Sequence, residues 1–172
     1  FKPKPNPQNP KGFYENYLFR KINDNTLQKN EYDIISWDTN IPDIESNFFD
    51  ERKMKILINS NNKKYDNWGW KDPRTCLTLH LWLDILKQMN KLDETRIVYI
   101  FRKAEAVAKS MFNRKDTDLE TAFKIWKEYN KRALQTIEEH NVKSFYIQYE
   151  ELCSDPVTIS KNLFKFLELN LD

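Results

Sequence analysis

The sequence contains very little glycine: Gly12 and Gly69 are the two glycines among its 172 residues. A Walker-type phosphate loop needs at least two glycines within a few residues of a Lys-Ser or Lys-Thr pair. Neither glycine stands in such a context. A nucleotide kinase needs such a loop and also a magnesium-binding Ser or Thr. The sequence therefore gives little support to a kinase.

Metal ligands, membrane spans and a charge excess are lacking as well. The two cysteines, Cys76 and Cys153, and the two histidines share no ligand spacing, so no metal site is expected. No apolar run approaches the roughly 20 residues that span a bilayer, and no signal peptide is evident. Lys and Arg number 28 against 26 Asp and Glu, a net charge of +2. We expect a cytoplasmic protein with no nucleic-acid partner, in which any anion site is local.

The remaining composition is that of a globular protein. Hydrophobic residues make up 40% and aromatic residues 14% of the chain. This is enough apolar material for one domain over residues 1–172. The first 11 residues carry four prolines and no initiating methionine, which predicts an extended segment and suggests a piece of a longer polypeptide.

Helical and strand patterns alternate along the chain. Helices are predicted from Gly12 to about residue 27, over about 45–60, over 75–90, over 103–114, from about 117 and from 155. Strands are predicted at Trp68–Lys71, at 96–101 and at 143–149, whereas MKILI (54–58) fits either state. A Thr117–Glu120 capping box and an Asp155-Pro156 start are expected for the last long helices. This order predicts an α/β fold, a central parallel sheet with helices on both sides, in which ligands bind beyond the carboxyl ends of the strands.

Three polar residues follow the apolar strand RIVYIF. Arg102 comes directly after it, Ser110 eight residues later and Arg114 twelve residues later. Ser110 and Arg114 are one helical turn apart, and Arg102 precedes the helix start. Two guanidinium groups, a hydroxyl and a helix N-terminus suit a phosphate. On spacing alone, a solvated helix surface remains the commoner explanation.

A resemblance strengthens the phosphate interpretation. The segment YIFRKAEAVAKSMFNRK resembles the 3′-phosphate-binding segment of sulfotransferases that use 3′-phosphoadenosine 5′-phosphosulfate (PAPS), most closely the bacterial and tyrosylprotein sulfotransferases. Four further segments resemble that family in the same order: NPKGFYE, WGWKDPR, AFKIWKEYNKRAL and FYIQYEELCSDP. The resemblance extends from about Asn9 to Leu169 and implies a P-loop NTPase-like sulfotransferase fold of three layers, α/β/α.

The resemblance also implies an activity and a set of roles. The activity is transfer of a sulfuryl group from PAPS to a hydroxyl or amine of a small-molecule, carbohydrate or other hydroxyl-bearing acceptor, without a metal. The implied ligands of the 3′-phosphate are Arg102, Ser110 and Arg114. Tyr149 is implied to lie against the adenine, with a core aromatic as the alternative. Lys71 is implied to neutralise charge on the bridging oxygen, with a surface lysine as the alternative.

Glu15 resembles the glutamate that serves as general base in several branches of the family. The alternative is an acid in the first helical turn, favoured by the helix dipole. Asp72 and His80 are the fallback bases, although Asp72 has the alternative of pairing with Arg74 or capping the next turn.

The family also has a loop resembling P-x-S-G-T that binds the 5′-phosphosulfate, and we expect it upstream of Phe1. Residues 1–172 alone are then expected to lack transfer activity and to aggregate, because a central strand would be missing. The alternatives to an enzyme of this family are a non-catalytic sulfotransferase-like binding module and, more remotely, a kinase-like transferase.

Overall fold

The computed structural model describes residues 14–45 and 50–169, and this part contains seven α-helices and two β-strands. The extended segment predicted over 1–11, together with Gly12, lies outside the described residues. The elements in chain order are α1 (Tyr17–Lys29), α2 (Glu51–Lys64), α3 (Thr75–Gln88), β1 (Ile97–Phe101), α4 (Ala104–Asn113), α5 (Leu119–Glu139), β2 (Ser144–Gln148), α6 (Tyr149–Ser154) and α7 (Pro156–Phe166).

The two strands form a parallel pair, as the strand and helix order predicts. Their register runs from Ile97 opposite Ser144 to Phe101 opposite Gln148. Helices contact both faces of the pair. On one face the Tyr99 hydroxyl donates to Asn130 of α5, and on the other Phe145 packs on Phe166 of α7 at a ring-centroid distance of 5.4 Å. The fold of the described part is broadly α/β.

The strand predicted at Trp68–Lys71 is wrong, because residues 67–72 have no strand structure. Residues two apart in a strand share a face, and the two indoles do lie on one side here, but without strand structure. Both Trp68 and Trp70 pack on Phe19, with ring centroids 5.7 and 4.4 Å away. The ambiguous segment MKILI is helical and lies within α2, where Met54, Leu57 and Ile58 are buried.

Of the two helix starts predicted from capping residues, one agrees with the structure and the other does not. α7 starts at Pro156 with Asp155 as its N-cap, as predicted. The capping box predicted at Thr117 is wrong, because Asp118 is the N-cap of α5. Its carboxylate accepts hydrogen bonds from both the backbone N–H and the hydroxyl of Thr121, and these bonds lower the pKa of Asp118. An anionic cap that accepts two bonds at a helix N-terminus is favoured over a hydroxyl.

Five helices end in the same way despite the shortage of glycine. At each end, a residue with positive φ donates its N–H to the carbonyl of the residue three positions before it. The N–H of the following residue donates to the carbonyl five positions before that residue. This is the Schellman motif, whose positive-φ position usually holds glycine. The residues that occupy it here are Glu31 (φ 58°), Asn90 (53°), Lys115 (61°), Asn141 (48°) and Glu168 (56°).

The described residues divide into two compact units. One takes in residues up to 36 and 40–85, and its core surrounds the fully buried Trp82. The other takes in residues 37–39 and 86 onward, and its helices α4 and α5 enclose a cluster of small and apolar side chains. That cluster consists of Ala108, Met111, Ala122 and Ile125. The single domain expected over the whole chain stays a prediction.

Candidate functional site

The segment WGWKDPR is held in the first unit by an aromatic cluster. Trp70 stacks on Phe19 with centroids 4.4 Å apart, and Trp82 of α3 lies 5.0 Å from Trp70 and 5.2 Å from Phe19. The ring centroid of Trp68 lies 6.0 Å from that of Trp70. Offset aromatic contacts at these distances stabilise a loop that has no regular secondary structure.

Asn23 lies buried under this segment and joins α1 to it and to α3. Its Nδ2 donates to Asp72 Oδ2 at 2.8 Å and to Thr75 Oγ1 at 3.2 Å. Its Oδ1 accepts from Thr78 Oγ1 at 2.9 Å and from Trp82 Nε1 at 2.8 Å. Both amide protons and both lone pairs of the side chain are thereby used.

Asn23 was not among the residues predicted from the sequence, although a signal was present. Asn23 stands four residues after Phe19 and four before Leu27, both of which are buried on the same face of α1. A polar residue in the middle of an apolar helical stripe indicates a buried hydrogen-bond site.

The carboxylate of Asp72 is occupied by hydrogen bonds within the protein. The side chain is 1% exposed, and besides Asn23 it accepts from the backbone N–H of Arg74 at 3.1 Å and from Arg74 Nη1 at 2.8 Å. Asp72 therefore both pairs with Arg74 and caps the turn ahead of α3, which are the two alternatives to a base. A carboxylate enclosed in this way is poorly suited to take a proton from an external acceptor.

Glu15 forms ion pairs with three cations, one of which is Arg74. Its Oε2 is 3.5 Å from Arg74 Nη1 and 3.8 Å from Arg20 Nη1, and its Oε1 is 3.7 Å from Lys71 Nζ. Arg74 Nε also lies against Asp24 as an ion pair, although it makes no hydrogen bond. Burial lowers the pKa of Arg74, but Asp72, Asp24 and Glu15 together outweigh this and raise it.

The two proposed catalytic residues are thus brought together. Lys71 Nζ and Glu15 Oε1 are 3.7 Å apart, with the lysine side chain 60% exposed and the glutamate side chain 9% exposed. Glu15 is not a first-turn acid, because α1 begins at Tyr17 and Asn16 is its N-cap. That alternative is wrong, since Glu15 precedes the N-cap and pairs with Arg74.

His80, the other fallback base, is tied to a backbone carbonyl. Its Nε2 lies 2.9 Å from Ile44 O, so Nε2 carries the proton and donates it. A neutral His80 therefore has Nδ1 as its basic nitrogen.

In the second unit, Arg102 and Tyr149 meet at the carboxyl edge of the parallel pair. They directly follow Phe101 and Gln148, the last residues in register. The guanidinium carbon of Arg102 lies 5.1 Å from the centroid of the Tyr149 ring, a cation–π contact. Tyr149 is exposed and begins α6, so the core-aromatic alternative is wrong. A hydrogen bond to Cys153 raises the pKa of Tyr149, against the opposing effect of Arg102.

The N-terminus of α4 lies beside this pair. Its N-cap, Lys103, provides no side-chain hydrogen bond to the helix, and the Lys103 N–H donates to Glu150 Oε1 at 3.3 Å. Glu150 Oε1 is also 3.8 Å from Arg102 Nε. Desolvation raises the pKa of Glu150, but backbone N–H groups, the Gln148 side chain and the charge of Lys103 outweigh it and the pKa is lowered. Trp126 Nε1 fixes the chain here by donating to Arg102 O at 3.0 Å.

Ser110 and Arg114 lie at the other end of α4. The Arg114 N–H donates to Ser110 O at 3.2 Å, which confirms that they are one turn apart. Arg114 is the C-cap of the helix and its guanidinium group contacts Asp116. The ten residues of α4 rise about 15 Å. Within the described part of the chain, no hydrogen bond or ion pair joins Arg102 to Ser110 or Arg114, so Arg102 makes no direct polar contact with the other two predicted phosphate ligands.

No model of a known protein family, no curated protein and no solved structure matches the chain. Over residues 14–45 and 50–169, no group of three or more His, Cys, Asp or Glu side chains is arranged to hold a metal ion. No helix in the same residues is both long enough and apolar enough to cross a membrane.

Proposed function

We propose that this chain belongs to a PAPS-dependent sulfotransferase and that its second unit binds the adenosine 3′-phosphate end of the donor. The observation that carries the proposal is the Arg102–Tyr149 pair at the carboxyl edge of two parallel strands, beside the start of α4. An aromatic face suits an adenine, and a guanidinium group beside a helix N-terminus suits a phosphate. The five sequence segments that resemble the family in order support the same conclusion.

The proposal includes the fold of the family, a three-layer α/β/α arrangement with a P-loop NTPase-like parallel sheet. Two features of the second unit support it. The β1–β2 pair is parallel, and helices α5 and α7 contact its opposite faces. Ligand binding at the carboxyl edge is the general rule for such sheets.

In the proposed reaction, Arg102, Ser110 and Arg114 bind the 3′-phosphate and Tyr149 lies against the adenine. An acceptor hydroxyl gives its proton to Glu15 as its oxygen bonds to the donor sulfur. The bond between sulfur and the bridging oxygen breaks in the same in-line step, and adenosine 3′,5′-bisphosphate leaves. Lys71 neutralises the charge that builds on the bridging oxygen. The Lys71–Glu15 distance of 3.7 Å supports the pairing of these two roles.

A second candidate is a nucleotide-binding module without catalysis. The observation in its favour is the environment of Glu15, whose carboxylate contacts three cations and is 9% exposed. An acceptor hydroxyl would have to displace at least one of these ion pairs. Binding of the bisphosphate without turnover would distinguish this candidate from the enzyme.

Nucleotide binding by the purified protein tests the proposal. Adenosine 3′,5′-bisphosphate should bind more tightly than adenosine 5′-monophosphate in calorimetric titrations. Arg102→Ala should weaken the bisphosphate by about 1.5–3 kcal/mol, the value of a hydrogen bond to a charged group, and should leave the monophosphate nearly unchanged.

Arg52→Ala is the matched control, because it removes the same charge from an exposed arginine of α2. It should bind both nucleotides like the wild type. Equal affinity of the wild-type protein for the two nucleotides would contradict the proposed 3′-phosphate site.

A further inference from the structure

The arginine that ends α4 has its guanidinium group already occupied by a carboxylate of the same chain. Arg114 Nε donates to Asp116 Oδ2 at 2.7 Å, and Arg114 Nη2 lies 2.7 Å from the same oxygen. These are the nitrogens with which an arginine also binds a phosphate oxygen, because carboxylate and phosphate present similar acceptor geometry. An anion that uses both nitrogens must displace Asp116.

We propose that Asp116 is an internal competitor for the 3′-phosphate at Arg114, so that it limits the affinity of the site for its nucleotide. The inference rests on the proposed function, since it assigns Arg114 to the phosphate. It adds a residue that sets affinity and product release: once the bisphosphate leaves, Asp116 re-forms its pair with Arg114.

The backbone holds Asp116 in this place. Lys115, between the two partners, has φ 61° and turns the chain back after α4. The Asp116 N–H then bonds to Met111 O at 3.1 Å, and the Lys115 N–H bonds to Phe112 O at 2.9 Å. The aspartate is fixed by this Schellman turn, which ends the helix independently of the ion pair.

The two side chains differ in exposure, and we expect the more exposed one to move when the pair breaks. The Asp116 side chain is 17% exposed and the Arg114 side chain 48% exposed. Rotation of the exposed Arg114 about its own side-chain bonds breaks the pair without any change in the helix. The competition is therefore between two acceptors for one rotatable guanidinium group.

The size of the effect follows from the strength of a partly exposed ion pair. Such pairs contribute enough to change a binding constant by about two- to fivefold. Asp116→Asn keeps the side-chain size and the backbone turn but removes the negative charge, so adenosine 3′,5′-bisphosphate should bind about two- to fivefold more tightly. The gain should shrink as ionic strength rises, because salt screens the pair.

The experiment is a double-mutant cycle measured by calorimetry with adenosine 3′,5′-bisphosphate on the wild type, Asp116→Asn, Arg114→Ala and the double variant. The expected result is a gain from Asp116→Asn that disappears in the Arg114→Ala background. Glu139→Gln, which removes an equal charge from the exposed last residue of α5, should leave the affinity unchanged.

Each outcome bears on one of the two proposals. Unchanged affinity of Asp116→Asn, or a gain that persists without Arg114, overturns the internal competition. The proposed function then still stands if the wild type prefers the bisphosphate over adenosine 5′-monophosphate. If neither the wild type nor any variant shows that preference, the proposed function fails and the role of Asp116 fails with it. Thermal unfolding of each variant establishes that it is folded.

Discussion

Asn23 is the residue on which the packing of the WGWKDPR segment depends most. Its partners come from two places in the chain, the loop at Asp72 and three positions of α3. Three of these partners, Asp72, Thr78 and Trp82, are buried, so each of them loses a hydrogen bond that water cannot readily replace if the amide is removed. The positions of Asp72 and of the neighbouring Lys71 are thus linked to a side chain nearly 50 residues away.

We expect Asn23→Ala to lower the free energy of unfolding by about 3 kcal/mol or more, because each buried polar group left unpaired costs about 1–3 kcal/mol. Urea unfolding followed by circular dichroism measures the change. Asn25→Ala, an exposed asparagine on the same helix, is the control and should stay within about 0.5 kcal/mol of the wild type. Similar losses from the two variants would show that the hydrogen bonds of Asn23 contribute little.

Glu15 allows the catalytic and the structural roles of a single carboxylate to be separated. Glu15→Gln keeps the size of the side chain but removes the proton acceptor. If Glu15 is the base, transfer from labelled donor by the complete protein, which includes the phosphosulfate loop expected upstream of Phe1, should fall by about 10²–10⁴-fold while bisphosphate affinity is retained. Turnover at the wild-type rate would contradict this and would leave His80 as the remaining base, since Asp72 is enclosed by its hydrogen bonds.

At the residue scale, the sequence could predict that two residues lie close together at one edge of the sheet. Arg102 and Tyr149 each follow a strand, and parallel strands end at the same edge, so their approach follows from the strand order alone. The partner of Arg114 did not follow from spacing, because it depends on the positive φ of Lys115. No helical periodicity encodes that turn.

At the scale of elements, helix ends show how the chain manages with few glycines. Asparagine adopts positive φ more readily than other residues with a side chain, and it occupies two of the five Schellman positions. Glutamate and lysine at the others leave a steric cost between Cβ and the backbone. Those helices end where they do because the hydrogen bonds of the turn and the packing beyond it outweigh this cost.

Replacing Glu31 by glycine should therefore stabilise the protein. The relief of the left-handed conformation, about 1–2 kcal/mol, exceeds the added flexibility of the unfolded chain, which leaves a gain of about 0.5–1 kcal/mol. Thermal or urea unfolding measures it. Asn90→Gly is the comparison and should gain less, because asparagine already tolerates this conformation. Glu168→Gly should also gain less, because it removes the ion pair between Glu168 Oε1 and Arg96 Nη2 at 3.0 Å. A loss of stability in Glu31→Gly would contradict the expected relief of strain.

Helices and strands were easier to predict from the sequence than the burial and packing of their side chains. The apolar run before Arg102 and the alternation at 143–149 both proved to be strands, because they are long enough to favour one state. Ile100 is nevertheless exposed, although its run suggested a buried strand. At Trp68–Lys71 the local alternation did not produce a strand, and the segment is held instead by tertiary packing of Trp70 on Phe19 and Trp82.

At the scale of the whole molecule, charge is balanced overall and organised locally. The net charge of +2 predicted that any anion site would be local, and the arginines of interest do each lie beside a carboxylate. Arg74 contacts Glu15, Asp24 and Asp72, Arg102 lies near Glu150, and Arg114 binds Asp116. Which carboxylate neutralises which arginine depends on tertiary structure, so the composition predicted the balance but none of the pairs.

The aromatic cluster around Phe19 has an optical consequence. Three of the five tryptophans, Trp68, Trp70 and Trp82, lie in the first unit, and the Trp68 and Trp70 rings are 6.0 Å apart at an interplanar angle of 24°. Electronic transitions of indoles this close interact, so the pair should produce an exciton couplet in circular dichroism. The sign and intensity of the couplet depend on the mutual orientation of the two rings. Circular dichroism should therefore report changes in the conformation of the segment that carries Lys71.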